Sequence, residues 1–198
     1  RSHTRRVLLC EKARENRMSA DDARVAYPLF QEEYGGSTPT SALQLNITRI
    51  SVETAVKLNR LWHSRLPYIG NAFRCEAYGA EYNNVYYATA LWSSPIARML
   101  NGKNWWELRR MAISDDAPIN TASRMLRIMK LDIIKTHREI IKLISYQDIA
   151  VHKGTIYKAA GWVNTIVSNG GDGWSSSRNR NKEQTTSKKI RWEYSLNG

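Results

Sequence analysis

Between Trp105 and Leu126 the chain reads WWELRRMAISDDAPINTASRML, and this stretch restricts the fold more than any other. Its first half, Trp105 to Ser114, is almost continuously apolar, the pattern of a strand covered on both faces. Only Glu107, Arg109 and Arg110 interrupt it. Three charges inside a buried strand are costly unless they pair with one another or with a ligand. They are therefore either a structural ion cluster or part of a site, and the residues leave those readings evenly matched.

The second half begins after Pro118, a residue tolerated at a helix start. Asn120, Thr121 and Ser123 can cap or line the first turn. Met125, Leu126, Ile128, Met129, Leu131, Ile133 and Ile134 then recur at helical spacing, while Arg124, Arg127, Lys130 and Lys135 stay outside. A helix N-terminus directly after a central strand offers free N–H groups to an anion. An ordinary strand-to-helix connection has the same pattern.

With 198 residues and 42% hydrophobic content, the chain can bury one good core. We expect an N-terminal extension with a short helix over residues 1–42, and one domain over 43–198 with a basic loop at 168–188. No apolar run approaches the roughly 18 residues of a membrane span. Cys10 and Cys75 form no disulfide framework or ligand spacing, so a cytoplasmic chain is expected. Thirty Lys and Arg against 18 Asp and Glu give a formal charge of +12, a field that recruits polyanions. Nucleic acid is the leading partner on that ground.

Leu43 to Ile50 alternates like a half-buried strand, and Ser51 begins a helix that ends near Pro67. At that end stand Trp62, His63, Arg65 and Tyr68. An imidazole there can act as base or metal ligand, or simply cap the helix. Trp62 and Arg65 beside it suit stacking on a base and gripping a phosphate. Ala72 to Tyr82 and Val85 to Trp92 read as a hairpin turning at Asn83-Asn84. Ile140 to Tyr146 is a further strand, closed by Gln147 and Asp148. A helix is expected from Val151 to Ala160, with Gly161 as its stop signal. Trp162 to Val167 and Lys189 to Leu196 alternate as a closing hairpin. The loop between them carries Arg178 and Arg180 and is either a plain surface loop or one that grips a nucleic-acid backbone.

This order of elements resembles the GNAT family of N-acetyltransferases over roughly Leu43 to Leu196. The resemblance implies an α/β fold with a mixed, mostly antiparallel central sheet flanked by helices. MAISDDAPINTASRML is similar to that family's strand-to-helix motif, and TIYKAAGW to its helix ending in Tyr-x-x-x-Gly-aromatic. By this likeness Tyr157 takes the place of a tyrosine that protonates a leaving thiolate. The family's turn carries glycines where this chain has Thr121 and Ser123, whose side chains obstruct close approach or offer hydroxyls.

LWHSRLP, ATALWSSPIARML, WWELRRMAISDDAPINTASRML and LISYQDIAVHKGTIYKAAGW, together and in order, resemble the phage Mom-type DNA-modification proteins, divergent members of that fold. The resemblance implies conversion of adenine in DNA to a carbamoylmethyl derivative on its exocyclic nitrogen, protecting phage DNA from host restriction. By position it implies His63, Arg110, Ser123, Asp148 and Tyr157 as catalytic residues, and an iron ion with His63 as ligand. Trp62, Tyr68 and Trp92 are expected to stack on an extruded base. Arg65, Arg109, Thr121, Gln147, Arg178 and Arg180 complete the expected substrate contacts.

Direct acyl transfer does not make a nitrogen–methylene–amide product. A glycyl donor does, if the adenine amine first forms a glycyl amide whose free amine then attacks ring carbon six and expels the original nitrogen. Glycyl-tRNA is the donor that chemistry favours, which makes tRNA a second partner; acetyl-coenzyme A is the donor for the rival reading, an N-acetyltransferase of a small amine or protein. A DNA-binding protein without catalysis is the third reading.

Overall fold

A computed structural model of the chain describes residues 38–63, 65–69, 75–100, 102–168 and 187–196. The expected helix within residues 1–42 and most of the basic loop, with Arg178 and Arg180, lie outside the described residues.

The described chain begins with a single 3-10 turn, Ala42–Gln44, closed by a capping box between Ser41 and Gln44. Strand β1 (Asn46–Ile50) follows, so the expected strand starts three residues late; Leu43, 76% exposed, belongs to the turn. The Ser51 hydroxyl accepts the Thr54 N–H at 3.1 Å and starts helix α1 (Val52–Trp62) as anticipated. Strands β2 (Glu76–Tyr82) and β3 (Val85–Ser93) meet at Asn83 and Asn84, whose φ values of 50° and 62° are those of a tight hairpin turn. Strand β4 (Trp105–Ile113), helix α2 (Thr121–Thr136), strand β5 (Lys142–Asp148), helix α3 (Thr155–Ala159), and the hairpin β6 (Val163–Ser168) and β7 (Lys189–Ser195) complete the order. Helix α3 is four residues shorter at its start than Val151 to Ala160 because Gly154, at φ 72°, interrupts the pattern.

The seven strands form one sheet in the order β1-β2-β3-β4-β5-β7-β6. Every neighbouring pair is antiparallel except β4 and β5. On one face α1 packs over β2, β3 and β4, around Ala55, Cys75, Ala77 and Leu91. On the other, α2 and α3 cover the main core, with Met125, Leu126, Met129 and Ile133 fully buried. Each such side chain contributes roughly 1.5–3 kcal/mol.

Two irregularities shape the middle of the sheet. The parallel pairing of β4 with β5 runs only from Trp105↔Lys142 to Leu108↔Ser145, so beyond Leu108 and Ser145 the two strands part. On the other edge of β4, Leu91 faces Arg110 while Trp92 faces Leu108, leaving Arg109 as an extra residue in a bulge. Arg109 reaches Ser93 and Arg110 lies beside Leu91, so the bulge turns two consecutive arginines to the α1 face.

Candidate active site at the fork of β4 and β5

The loop after α1 is held by Asn59, whose amide donates to the carbonyls of Leu66 (3.1 Å) and Pro67 (2.9 Å). That brings His63 and Arg65 to the fork. Arg65 donates to Asp148 Oδ2 at 3.3 Å, joining the end of α1 to the end of β5. Asp148 Oδ1 accepts the Ala150 N–H at 3.0 Å, which fixes its carboxylate at the start of the loop to α3.

His63 is half-buried. Desolvation lowers its pKa first, and the charges of Arg110 and His152 lower it further, so the imidazole is neutral at pH 7. Its Nδ1 accepts the Leu66 N–H at 3.2 Å. A backbone N–H can only donate, so the proton of the neutral ring is on Nε2. His63 is therefore a donor toward the fork. The expected roles of base and iron ligand both need a bare ring nitrogen, which this hydrogen bond leaves at neither position. The cations around it oppose a metal further, and among the described residues no three His, Cys, Asp or Glu side chains cluster as ligands. The residues present do not fit iron.

The charges of β4 form a cluster. Glu107 is buried and accepts the Ile96 N–H at 3.1 Å; burial raises its pKa, opposed by that bond and by Arg109 and Arg110. Arg109 donates to Ser93 Oγ at 3.3 Å, and Arg110 donates to the Arg109 carbonyl at 2.7 Å. Burial and the neighbouring Arg109 lower the pKa of Arg110. The cluster is thus structural, and Arg110 also lies close enough to His63 for its charge to act on the imidazole.

On the opposite face, a cleft of about 340 Å³ lies between the start of α2 and α3, lined by Ile113, Pro118, Asn120, Thr121, Ala122, Ser123, Thr155, Ile156 and Ala159. The two hydroxyls of this turn are directed back into it: Thr121 donates to the Pro118 carbonyl at 2.7 Å and Ser123 to the Asn120 carbonyl at 3.0 Å. The first i→i−4 bond of α2 comes from the Arg124 N–H to the Asn120 carbonyl. The N–H groups of Ala122 and Ser123, ahead of it, are the donors the turn presents. Asn120 is the cap, at φ 71° and without a side-chain cap bond, which its asparagine tolerates.

Tyr157 is buried in the core, its ring stacked on Trp192 at 5.3 Å. Its hydroxyl shares a 2.8 Å hydrogen bond with Ser145, the last β5 residue paired with β4. Burial raises its pKa, so the phenol holds its proton. Nothing in the sequence singled out Ser145. His152, likewise unanticipated, contributes charge near His63.

The expected base platform divides. Trp62 is half-buried and Tyr68 is 61% exposed, with Arg60 over its ring at 5.4 Å. Trp92 is fully buried and its indole N–H meets Met129 Sδ at 3.1 Å, so it has no surface for a base. Gln147 is also removed from the substrate contacts: it is 4% exposed, with both ends of its amide engaged inside the protein.

Comparison with known proteins bears on this arrangement. The model of the Mom protein family matches residues 78–195. The chain belongs to the Mom family. No curated protein matches it in sequence. Among solved structures, this Mom-family chain is similar to the IAA acetyltransferase of Bacillus cereus, at 14% identity and TM-score 0.56, covering 76% of this chain and 99% of that one. An acetyltransferase of Bacillus subtilis in complex with CoA aligns at 9% identity and TM-score 0.56, over 76% and 98%. An N-acetyltransferase of Staphylococcus aureus aligns at 10% and 0.53, over 77% and 98%. At these identities the likeness establishes the fold: this Mom-family chain has the GNAT acetyltransferase architecture. Among the described residues, no helix is long and apolar enough to cross a membrane.

Proposed function

We propose that the protein modifies adenine in DNA, converting it to N6-carbamoylmethyladenine by glycyl transfer followed by rearrangement. The observation that carries this reading is the meeting of His63, Arg65, Arg110 and Asp148 at the fork. They come from three separate stretches of the chain, and three of them are positions to which the Mom resemblance assigned catalysis.

In the first step the adenine amine attacks the glycyl ester carbonyl, and Asp148 takes the proton it sheds. The Nε2–H of His63 and the guanidinium of Arg110 donate to the oxyanion that develops. A neutral imidazole donor suits that task because no proton transfer is demanded of it. The ester oxygen leaves as a hydroxyl, with its proton supplied through the Tyr157–Ser145 pair at the apex of the fork. In the second step the new free amine attacks ring carbon six, closing a five-membered spiro ring, and the original nitrogen departs as the amide. Atoms balance: one glycyl ester is consumed, and one alcohol and one carbamoylmethyl group result. The base must leave the duplex, at a few kcal/mol that stacking on Trp62 and Tyr68 offsets.

A second reading, a coenzyme A-dependent N-acetyltransferase of a small amine or protein, is favoured by the cleft against α2 and by the relative with bound CoA. The N–H groups of Ala122 and Ser123 would hold the carrier's phosphates there, since the turn's hydroxyls fold away from them. The carrier would supply an activated acyl thioester.

The test incubates the protein with DNA and either glycyl-tRNA or acetyl-coenzyme A, then digests the DNA to nucleosides for mass analysis. Carbamoylmethyladenine made only with glycyl-tRNA is the expected result. Modification with acetyl-coenzyme A alone overturns the glycyl route, and unmodified nucleosides with both donors, beside a thermal shift with acetyl-coenzyme A, favour the second reading.

A further inference from the structure

Among the described residues, helix α1 packs over β2, β3 and β4, and no helix lies over the β5, β7 and β6 half on the same side of the sheet. Tyr146, Val163 and Ile166 on that half are 37%, 63% and 47% exposed. Strand alternation puts Lys142, Ile144, Tyr146 and Asp148 of β5 on this face, and the pairing adds Glu193, Arg191 and Lys189 of β7. Trp105 stands at one end. Lys142 Nζ lies 4.4 Å from its ring centre, Lys103 Nζ 5.3 Å and the Arg191 guanidinium carbon 5.7 Å. At the other end are Asp148 and Arg65, already part of the fork.

The charges of this face are unbalanced. Lys142 (2.7 Å) and Arg191 (2.6 Å) share one carboxylate, Glu193. Arg65 takes Asp148, and Lys189 lies near the buried Glu107, as do Arg109 and Arg110. Among the described residues cations thus exceed carboxylates on this face, interleaved with the rings of Trp105 and Tyr146, which is the composition of a nucleic-acid groove.

We propose that the charged rim of this half-sheet is the track for the DNA backbone, running from Lys103 and Trp105 past Lys142 and Tyr146 to the fork. The six steps from Lys142 to Asp148 span about 20 Å at ~3.3 Å per residue, enough to engage backbone on the approach to an extruded base. This rests on the DNA reading above and assigns it a surface. Lys103 and Lys142 are phosphate contacts, and Trp105 holds both ammonium groups in place.

The experiment measures binding of a labelled duplex oligonucleotide from about 50 to 200 mM salt, where each phosphate contact adds about 0.9 to the slope of log affinity against log salt. The double substitution Lys103→Gln with Lys142→Gln is expected to make the slope shallower by about 1.8, and Lys103→Gln alone by about 0.9. Lys103 is exposed, so the single variant remains informative if the double variant unfolds. A control, Arg127→Gln with Lys135→Gln on the exposed side of α2 across the sheet from the track, should keep the wild-type slope. A wild-type slope in the track variants, or an equal loss in the control, overturns the track while leaving the DNA reading intact. Absence of DNA binding by the wild-type protein overturns both.

Discussion

The indole N–H of Trp192 donates to Gln147 Oε1 at 2.7 Å, and the other end of the same amide donates to the His152 carbonyl. One buried side chain thereby ties β7, β5 and the loop into α3 together. That loop begins at Asp148, so the lock sets where the carboxylate meets Arg65. Gln147→Met removes both bonds and leaves two buried groups unpaired, each worth roughly 1–3 kcal/mol. The expected outcome is a lowered urea midpoint, with DNA modification falling in kcat rather than in DNA affinity. Gly154→Ala should strike the same lock, because an added Cβ would lie 2.5 Å from Gln147 Oε1 and 2.7 Å from the Trp192 ring at a φ of 72°.

The tautomer of His63 is directly measurable. The Leu66 N–H requires a bare Nδ1, so nitrogen NMR should find the proton on Nε2 across the neutral range. The ring should titrate below its ordinary 6.5 because burial, Arg110 and His152 all resist its charging. The folded value being depressed, the unfolded chain takes up this proton first. Stability from neutral His63 is therefore complete above 6.5 and is lost as pH falls through the depressed folded value. His63→Ala should remove that part of the acid profile and leave any iron carried by the protein unchanged. A drop in iron on that substitution would restore the imidazole as a ligand.

What the sequence made legible was whatever depends on neighbours along the chain. Ser51 before an apolar helix, Asn83-Asn84 between two strands and Gly161 after α3 each act through local backbone chemistry, and each did so where expected. The gathering of His63, Arg110 and Asp148 was legible only through family resemblance, because their spacing of tens of residues encodes no contact. The bulge at Arg109 was not legible: register belongs to the pairing of β3 with β4, and one slipped residue turned a strand's alternating charges into an arginine pair on a single face. Trp92 and Gln147 were misplaced because burial depends on what covers each face of the sheet. A tryptophan suits a core and a stacking platform equally, and only the sheet's two coverings decide between them.

Far from the fork, Asp132 of α2 accepts the Tyr78 hydroxyl at 2.7 Å and the Arg49 Nε–H at 2.8 Å, fastening the helix to β1 and β2. Burial alone would raise its pKa; the bonds from Tyr78 and Arg49 overcome that and hold it below the ordinary 3.8. Stability from this carboxylate is fully present above 3.8 and is lost as pH falls through the depressed folded value. Asp132→Asn should cost about 1 kcal/mol at pH 7, modest because the group is partly exposed. It should also flatten the fall of the thermal midpoint below pH 3.8. An unchanged acid limb would mean that another carboxylate governs it.

Trp62 and Trp92 were equal candidates for stacking on an extruded base, and their burial separates them. Trp92→Ala empties the centre of the core and is expected to cost about 3–5 kcal/mol, with loss of activity following loss of fold. Trp62→Ala removes a half-buried ring at the end of α1, where Asn59 still anchors the loop that carries His63. Its thermal midpoint should stay close to wild type. Stacking is worth about 1–3 kcal/mol per base, so DNA modification should fall roughly five- to 150-fold. That loss should shrink when the target adenine is supplied mismatched or in single-stranded DNA, because unpairing then costs less. An equal loss on paired and unpaired substrates would place Trp62 in the scaffold of the fork instead, and Tyr68 would remain as the ring that meets the base.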